Sequence, residues 1–422
     1  MEKIYNDQGY LSAKQIESII MKGLEKKDFK AKKLLVVVPD LTRTCPTALI
    51  FKTICEKLSS SVKKLDFLIA LGTHPPLNDG QIEKLFGMSK KKIKEKYRVV
   101  NIYNHDWKKD VIKIGEIEED IVDDISQGLF KEKIPVTINK KVIDADEVII
   151  VGPVFPHEMV GFSGGYKYFF PGIGGPELID VFHWLASLIT NPKVIGNKNT
   201  PPRKLINEAA SFVKKDVTSI SLVIDGKETC GVFVGNIDDS WNSAVELSMK
   251  RNITLKERYF KKVIAIMPEL YDELWTAGKG MYKLEPIIED GGELTIYGPH
   301  IDRISDTHGA FIKKMGYHTR DYILANHDKL KKIPNVVKAH CAHVKGIGKY
   351  INGIEYPRVK VKLATSIPES LCTSVNLGFI DYNTIDLECY RNREEEGILV
   401  VENAGEKLYK HKSGVVPDID KL

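Results

Sequence analysis

The sequence predicts two Rossmann-like α/β domains. Three observations support this fold class. Short apolar runs typical of buried strands alternate with segments of helical periodicity. Polar or glycine-rich loops directly follow several of these strands. Finally, 422 residues are too many for one small hydrophobic core, so two domains are expected.

The first domain is predicted to cover residues 1–260. Its first strand reads Lys-Leu-Leu-Val-Val-Val, the continuous apolar pattern of a strand buried on both faces. Strands that alternate with helices form a mainly parallel sheet, whose functional residues lie just past the strand ends. The predicted helices are 13–24, 48–58, 79–86, 204–213 and 241–249, with another starting at Pro176. The predicted strands are 33–38, 65–71, 97–103, 147–152, 220–224 and 231–234.

The second domain is predicted to cover residues 261–395, after a linker at 251–260. The tail, 396–422, with a strand at 398–401, is a candidate to return to the first domain. The second domain is predicted to contain strand 263–267, helix 272–289, strand 293–297, helix 309–315 and strand 359–364.

Composition and charge narrow the class of protein. The net charge of +5 comes from 62 basic and 57 acidic residues, and the one basic cluster, 89–96, has the pattern of a solvated helix face. We expect no nucleic-acid partner. Six scattered cysteines without a Cys-x-x-Cys pair indicate reduced thiols. No signal core and no apolar run of 18 residues occur, so we expect a cytoplasmic protein without a membrane partner.

The stretch 153–188 is the most informative part of the chain. It places His157, Lys167 and His183 among six glycines, between a predicted strand and a helix that starts at Pro176. A strand, glycine-rich loop and helix in this order often present a phosphate-bearing ligand. The stretch matches neither GxxxxGK[ST] nor GxGxxG. Its glycines can serve simply as turns; otherwise the histidines and the lysine indicate a metal site or a lysine-linked cofactor.

Two further strand-end loops carry polar residues. The first offers Asp40, Thr42 and Arg43, and an arginine fork suits a carboxylate or a phosphate. The second offers His74 before a Pro-Pro pair that stiffens the loop, a suitable place for a general acid or base. The structural alternatives are an Asp–Arg surface pair with a threonine cap, and an ordinary structural histidine.

Taken together, these residues resemble the nickel-pincer-dependent lactate racemase family over most of the chain. The resemblance is carried by Asp-Leu-Thr-Arg at 40–43, Gly-Thr-His at 72–74, and the spacing of His157, Lys167 and His183. The segments GFSGGYK and FPGI make the combination highly specific. The resemblance implies a two-domain layout with the active site in the interdomain cleft.

The resemblance also implies a role for each residue. Lys167 would tether a nickel-pincer nucleotide through a thioamide, and His183 would be the protein ligand to nickel. His74 and His157 would be the acid/base pair, and Arg43 would bind the substrate carboxylate. The residues that would also contact the cofactor are Asp40, Thr42, Ser163, Gly164 and Gly165. The residues that would also contact the substrate are Trp275 and Lys279. Cofactor-assembly enzymes would be partners, and the oligomeric state is left open.

Departures from the family pattern bear on the substrate. Thr44, Tyr166 and Thr276 stand where the family often has proline, a basic residue and, in the lactate enzyme, glutamine. A larger 2-hydroxy acid, or a sugar acid epimerised at C2, is therefore as good a candidate as lactate. Two other functions are compatible with the same residues: a nicotinamide-dependent hydroxy acid dehydrogenase, and a non-catalytic protein that binds a hydroxy acid or a nucleotide.

Overall fold

The computed structural model describes residues 1–421 and divides into two compact units. The first unit comprises Met1–Phe155, Phe162–Ile179 and Pro201–Asn252. The second comprises Pro156–Gly161, Asp180–Thr200 and the chain from Ile253 onward. Each unit contains its own mainly parallel sheet, which confirms the predicted α/β fold class.

The strands lie mostly in these two sheets, with a few short pairs beside them. In chain order they are β1 (Glu2–Tyr5), β2 (Lys33–Pro39), β3 (Lys64–Ala70), β4 (Val100–Asn104), β5 (Val111–Ile117), β6 (Ile134–Asn139), β7 (Glu147–Pro153), β8 (Pro156–His157), β9 (Gly161–Phe162), β10 (Asp216–Asp225), β11 (Glu228–Asn236), β12 (Ile253–Lys256), β13 (Phe260–Ile266), β14 (Ile288–Gly298), β15 (Gly348–Ile351), β16 (Ile354–Pro357), β17 (Lys360–Thr365), β18 (Gly378–Phe379), β19 (Ile398–Val401) and β20 (Leu408–His411).

The helices connect the strands and cover the sheets. In chain order they are α1 (Ala13–Leu24), α2 (Thr47–Leu58), α3 (Asp79–Phe86), α4 (Lys90–Lys96), α5 (Glu119–Ser126), α6 (Lys140–Asp144), α7 (Pro176–Ile189), α8 (Asn191–Val194), α9 (Pro201–Ser211), α10 (Ile237–Arg251), α11 (Leu274–Ala277), α12 (Lys279–Leu284), α13 (Gly309–Met315), α14 (Arg320–Ala325), α15 (His327–Leu330), α16 (Asn335–Lys345) and α17 (Glu369–Ser374). Short 3₁₀ helices span Gly165–Tyr168, Glu285–Ile287, Tyr382–Thr384, Leu387–Tyr390, Glu394–Glu396 and Ile419–Lys421.

The sheet of the first unit has seven strands in the order β1-β11-β10-β7-β2-β3-β4. The five strands from β10 to β4 are parallel, and β11 and β1 complete one edge in antiparallel fashion. Six consecutive residues of β2 are buried, because helices cover a central parallel strand on both faces. The first helix, α1, starts with a capping box between Ser12 and Gln15 and turns its isoleucines into this core.

The sheet of the second unit has five parallel strands in the order β18-β17-β14-β13-β19. The tail does not return to the first unit. Its strand β19 pairs with β13, and β20 pairs with β12, so the linker and the tail together extend the second unit. The residues of β19 alternate between buried and half-buried, because successive side chains of a strand point to opposite faces of the sheet. The backbone of β19 pairs with the free edge of β13.

The predicted helix 272–289 is wrong in the structure, which contains three short pieces there. α11 ends at Ala277, and at the next residue, Gly278, an added Cβ would lie 2.8 Å from a methyl group of Val344 on α16. α12 then leads into the 3₁₀ helix Glu285–Ile287, where Pro286 ends the helical hydrogen bonding. β14 consequently begins at Ile288, five residues earlier than predicted. Close packing on α16 and a proline outweigh the helical periodicity of the segment.

Candidate functional site

Three loops that carry predicted site residues leave neighbouring strands of the first sheet. β2 lies between β3 and β7 and runs parallel to both. Asp40 follows β2, His74 follows β3, and Phe155 follows β7. The strand order reverses between β2 and β7, because the sheet grows from β2 toward β4 on one side and from β7 toward β10 on the other. In open α/β sheets, ligands bind in the crevice at such a reversal.

Asp40 and His74 form a direct hydrogen bond, with 2.6 Å between Oδ2 of Asp40 and Nδ1 of His74. Burial raises the pKa of Asp40, but the bond to His74 and the charges of His74 and Arg43 oppose this effect and bring the pKa to about 2. The carboxylate is therefore ionised at neutral pH and can only accept a hydrogen bond, so Nδ1 of His74 carries the ring proton. In the neutral form of the ring, the other nitrogen, Nε2, carries the lone pair, and the side chain is 41 % exposed. This arrangement prepares His74 to take a proton.

Thr42 and Arg43 continue the loop after β2. The Thr42 hydroxyl donates to Oδ1 of Asp40 at 2.6 Å and its backbone N–H donates to the same oxygen at 3.1 Å. Both carboxylate oxygens of Asp40 are therefore engaged by protein groups, which gives Asp40 an orienting role toward His74. The guanidinium of Arg43 lies 5.6 Å from the ring centroid of Phe155. Within residues 1–421 it forms no ion pair with an Asp or Glu, so its donors can meet a ligand carboxylate.

Trp241 on α10 fixes the glycine-rich loop by a hydrogen bond to its backbone. Its indole Nε1 donates to the carbonyl of Ser163 at 2.8 Å. The hydroxyl of Ser163 donates to the carbonyl of Pro153 at 2.8 Å and accepts from the N–H of Phe155 at 2.9 Å. Ser163 was predicted to contact a cofactor; the structure shows its hydroxyl engaged in fixing the loop to the end of β7.

Gly164 and Gly165 adopt backbone conformations that other residues rarely take, with φ of +77° and +60°. A Cβ at Gly165 would lie 3.0 Å from the ring of Trp241, and one at Gly164 would lie 2.5 Å from a methyl group of Val154. Arg203 donates to the carbonyls of Phe162 and Gly164, and its guanidinium stacks 4.5 Å from the Trp241 ring. The loop is therefore a rigid platform for the residues that follow it.

Lys167 lies in the 3₁₀ helix Gly165–Tyr168, which packs against β2, β7 and α10. Its side chain is half-buried. The next residue, Tyr168, has its pKa raised well above the usual range by burial, with Asp40 adding to the shift and Arg43 opposing it. The 3₁₀ helix that carries Lys167 therefore lies next to the loop that carries Asp40 and Arg43, within the first unit.

His157, the second proposed acid/base residue, belongs to the second unit. It is 6 % exposed, and the backbone N–H of Met159 donates to its Nδ1 at 3.2 Å. The neutral ring therefore carries its proton on Nε2. The carboxylate of Glu158 lies 3.5 Å from the same Nδ1.

His183 is half-buried on α7, also in the second unit, and its ring stacks on that of Phe182. One turn earlier, Asp180 accepts hydrogen bonds from the N–H and the side-chain amide of Asn335, at 2.9 and 2.7 Å. This contact docks α7 on the first turn of α16 and fixes the helix that presents His183.

Trp275 and Lys279 follow β13 in the second unit. The indole ring of Trp275 stacks with the imidazoles of His308 and His340, at centroid distances of 4.2 and 4.0 Å. The ammonium of Lys279 lies 4.3 Å from the ring centroid of Tyr271. Both side chains are half-buried and stand on short helices packed against α16. The same helix, α16, therefore supports the segments that carry His183, Trp275 and Lys279.

The sequence patterns did not single out Trp241, Arg203, Glu158 or His340 as supporting residues. Trp241 and Arg203 stand on helices remote in sequence from the loop they hold, so only the folded structure reveals them. Glu158 could have been noticed, because an acidic residue directly follows a predicted catalytic histidine. His340 is buried on α16, and its Nδ1 is hydrogen-bonded to the hydroxyl of Tyr282 at 2.5 Å.

The fold defines an α/β protein whose first sheet carries Asp40, Arg43 and His74 in the loops after two neighbouring parallel strands. The family model of the lactate racemase N-terminal domain matches the sequence over residues 12–195. A crystal structure of a protein from Thermotoga maritima is 32 % identical, with a TM-score of 0.87, over 97 % of this chain and 100 % of that chain. Residues 12–195 of the chain therefore form an N-terminal domain of the lactate racemase family.

A second solved structure shows the same fold at lower identity. The lactate racemase apoprotein from Thermoanaerobacterium thermosaccharolyticum has a TM-score of 0.67 and 17 % identity, over 94 % of this chain and 93 % of that chain. None of the curated proteins compared with this chain matches it. Within residues 1–421, no helix is long and apolar enough to cross a bilayer.

Proposed function

We propose that the protein inverts the α-carbon of a 2-hydroxy acid, as a racemase or epimerase. The observation that carries this proposal is the Asp40–His74 pair beside Arg43 at the strand-order reversal. It offers a base whose Nε2 is ready for a proton and a cation suited to a carboxylate, in a chain with a lactate racemase N-terminal domain. A 2-hydroxy acid presents both partners: a hydroxyl proton for His74 and a carboxylate for Arg43.

The chemistry of the substrate explains why a cofactor is needed. The α-hydrogen of a hydroxy acid is a very weak acid, because its removal places carbanion charge beside an existing carboxylate. Imidazoles, with a pKa of about 6.5, are too weak to remove it. A nickel-pincer nucleotide, when bound, would supply hydride chemistry: the α-hydrogen would leave and return with its electron pair, so no carbanion would form. His74 then needs only to remove the hydroxyl proton, and a second residue, which we propose is His157, serves the other enantiomer.

The donor set of the chain fits such a group. Among residues 1–421, no group of three or more His, Cys, Asp and Glu side chains is arranged to hold a metal ion. A nickel ion bound by the imidazole of His183 would therefore take its other donors from a bound molecule, and a pincer nucleotide with two sulfur donors is of this kind. The amine of Lys167, on its rigid loop, would form the covalent attachment.

The remaining roles follow the same proposal. Trp275 and Lys279 would contact the substrate, and the stack of Trp275 with two imidazoles would hold the indole in place. The nucleotide would be supplied by dedicated assembly enzymes. Six cysteines without a disulfide among the described residues support a location in the reducing cytoplasm.

The proposal is tested on protein produced together with the cofactor-assembly enzymes. Enantiopure 2-hydroxy acids, including lactate, larger aliphatic acids and aldonic acids, are incubated with it, and the appearance of the opposite configuration is followed by chiral chromatography. We expect inversion of at least one acid without added nicotinamide, and loss of that activity in His74→Gln. Turnover that requires soluble nicotinamide would instead indicate a dehydrogenase, and absence of turnover across all the acids would contradict the proposal.

A further inference from the structure

The second histidine of the proposed pair has a carboxylate beside it. Oε2 of Glu158 lies 3.5 Å from Nδ1 of His157, and the two side chains are only 17 % and 7 % exposed. The backbone N–H of Met159 donates to the same Nδ1. Neutral His157 thus carries its proton on Nε2, and a second proton can bind only at Nδ1, on the side of Glu158.

Two buried rings of the second unit lie within electrostatic range of this carboxylate. Tyr282 and His343 are both buried, and the negative charge of Glu158 raises the pKa of each. Burial and then the charge of Glu158 raise the pKa of Tyr282 well above its usual range. Burial lowers the pKa of His343 to about 4, with Glu158 opposing the shift, so this imidazole is neutral near pH 7. Neither ring supplies a positive charge to Glu158.

A carboxylate with so little exposure is costly unless a cation stands beside it. The imidazolium form of His157 is the group placed to supply that charge. In the first unit Asp40 likewise faces Nδ1 of the other proposed acid/base histidine, His74, at 2.6 Å. The two pairs differ in geometry: Asp40 is already bonded to its histidine, whereas at Nδ1 of His157 the N–H of Met159 occupies the acceptor position.

We propose that Glu158 is a positioning residue that stabilises the protonated form of His157. In that form Nδ1–H faces Glu158 and Nε2–H can be given to the oxygen of the keto acid, after which the ring is neutral. While His74 accepts the hydroxyl proton of one enantiomer, His157 is thus the ring kept ready to donate. This inference rests on the proposed function, since it assigns His157 the part of an acid.

The test begins with the protein free of cofactor. The ring nitrogens of ¹⁵N-labelled histidine are followed by NMR as a function of pH, and the His157 signal is assigned by its loss in His157→Gln. We expect Glu158→Gln to lower the protonation midpoint of His157 by about 1 pH unit, a tenfold change, because an opposite charge at this distance favours the charged ring. Glu158→Asp should lower it less. Glu369→Gln, which removes an exposed carboxylate on α17, should leave it unchanged.

The second readout is the kinetics of the loaded enzyme. Glu158→Gln should lower kcat about 10- to 100-fold with little change in KM, because a proton transfer is impaired while carboxylate binding is kept. An unchanged midpoint of His157 in Glu158→Gln would overturn the inference. If that variant does not fold, as shown by loss of its thermal transition, an unchanged midpoint in Glu158→Asp would overturn it instead.

The two proposals fail in different ways. A shifted midpoint in a protein that inverts no hydroxy acid would leave the Glu158–His157 pair intact and contradict the proposed function. Inversion by a protein whose His157 midpoint does not respond to Glu158 would contradict this inference alone.

Discussion

The Lys167→Ala variant is expected to carry no covalently attached nucleotide and to lose the proposed racemase activity by a factor of at least about 10³, since the proposed hydride chemistry depends on the attached cofactor. The side chain is half-buried on the 3₁₀ helix, and the loop before it is fixed by Trp241 and Arg203 through backbone carbonyls. Removing the amine therefore removes the attachment point and leaves the loop in place. Intact-mass spectrometry of protein produced with the assembly enzymes measures the loss directly.

The matched control is Lys204→Ala, which removes an exposed lysine from α9. This variant should keep both the added mass and the activity. Retention of the added mass in Lys167→Ala would show that the nucleotide is attached elsewhere and would remove the lysine from the account.

The Asp40→Asn variant is expected to lower kcat by about 10³- to 10⁴-fold with a smaller change in KM. An asparagine amide can turn its NH₂ toward Nδ1 of His74, so the ring proton would move to Nε2 and the base would lose its lone pair on the substrate side. Arg43, which we propose binds the substrate carboxylate, is unchanged in this variant. Steady-state kinetics with the best substrate of the acid panel measures both constants.

Thr42→Val provides a graded comparison, because it removes one hydrogen bond to Asp40 and keeps the charge; its effect should be only several-fold, in line with a bond worth about 1 kcal/mol.

The pH dependence of stability gives an independent check on Asp40. Since its folded pKa of about 2 lies below the usual value of 3.8, it contributes stability above about pH 4 that is lost as the pH falls toward 2. Other carboxylates with lowered pKa values remain in Asp40→Asn, so denaturant unfolding at pH 6 and pH 3 should show a smaller loss of stability in this variant than in the parent. Full activity in Asp40→Asn would contradict the orienting role.

Local signals made part of the fold predictable. The helices at 13–24, 79–86 and 309–315 and the strand at 398–401 have the predicted bounds. The first two begin at side chains that complete capping boxes, Ser12 with Gln15 and Asn78 with Gln81. The antiparallel pair β5–β6 and the helices α14 to α16 were not predicted, because their boundaries depend on packing partners remote in sequence. The same holds for the close packing of Gly278 on Val344, which lies 66 residues away in the sequence.

The candidate site was predictable to a similar extent. The rule that strand ends share one edge of a sheet anticipated that the loops of Asp40 and His74 would meet, and their 2.6 Å bond confirms it. The loop after β3 also meets the one after Lys167, through a hydrogen bond from the N–H of Gly72 to the carbonyl of Gly172 at 3.0 Å. The supports from Trp241 and Arg203 could not be foreseen, because no local pattern distinguishes a tryptophan or arginine that holds a distant loop from one in an ordinary core.

The fate of the α-hydrogen tests the central proposal most directly. The loaded enzyme is allowed to invert an enantiopure 2-hydroxy acid in D₂O, and deuterium at the α-carbon of the product is measured by mass spectrometry and NMR. If the hydrogen leaves and returns as hydride within the site, the product should keep its original α-hydrogen and carry no deuterium there. Deuterium at the α-carbon in step with inversion would show exchange with solvent, and removal by a protein base would then have to replace hydride return.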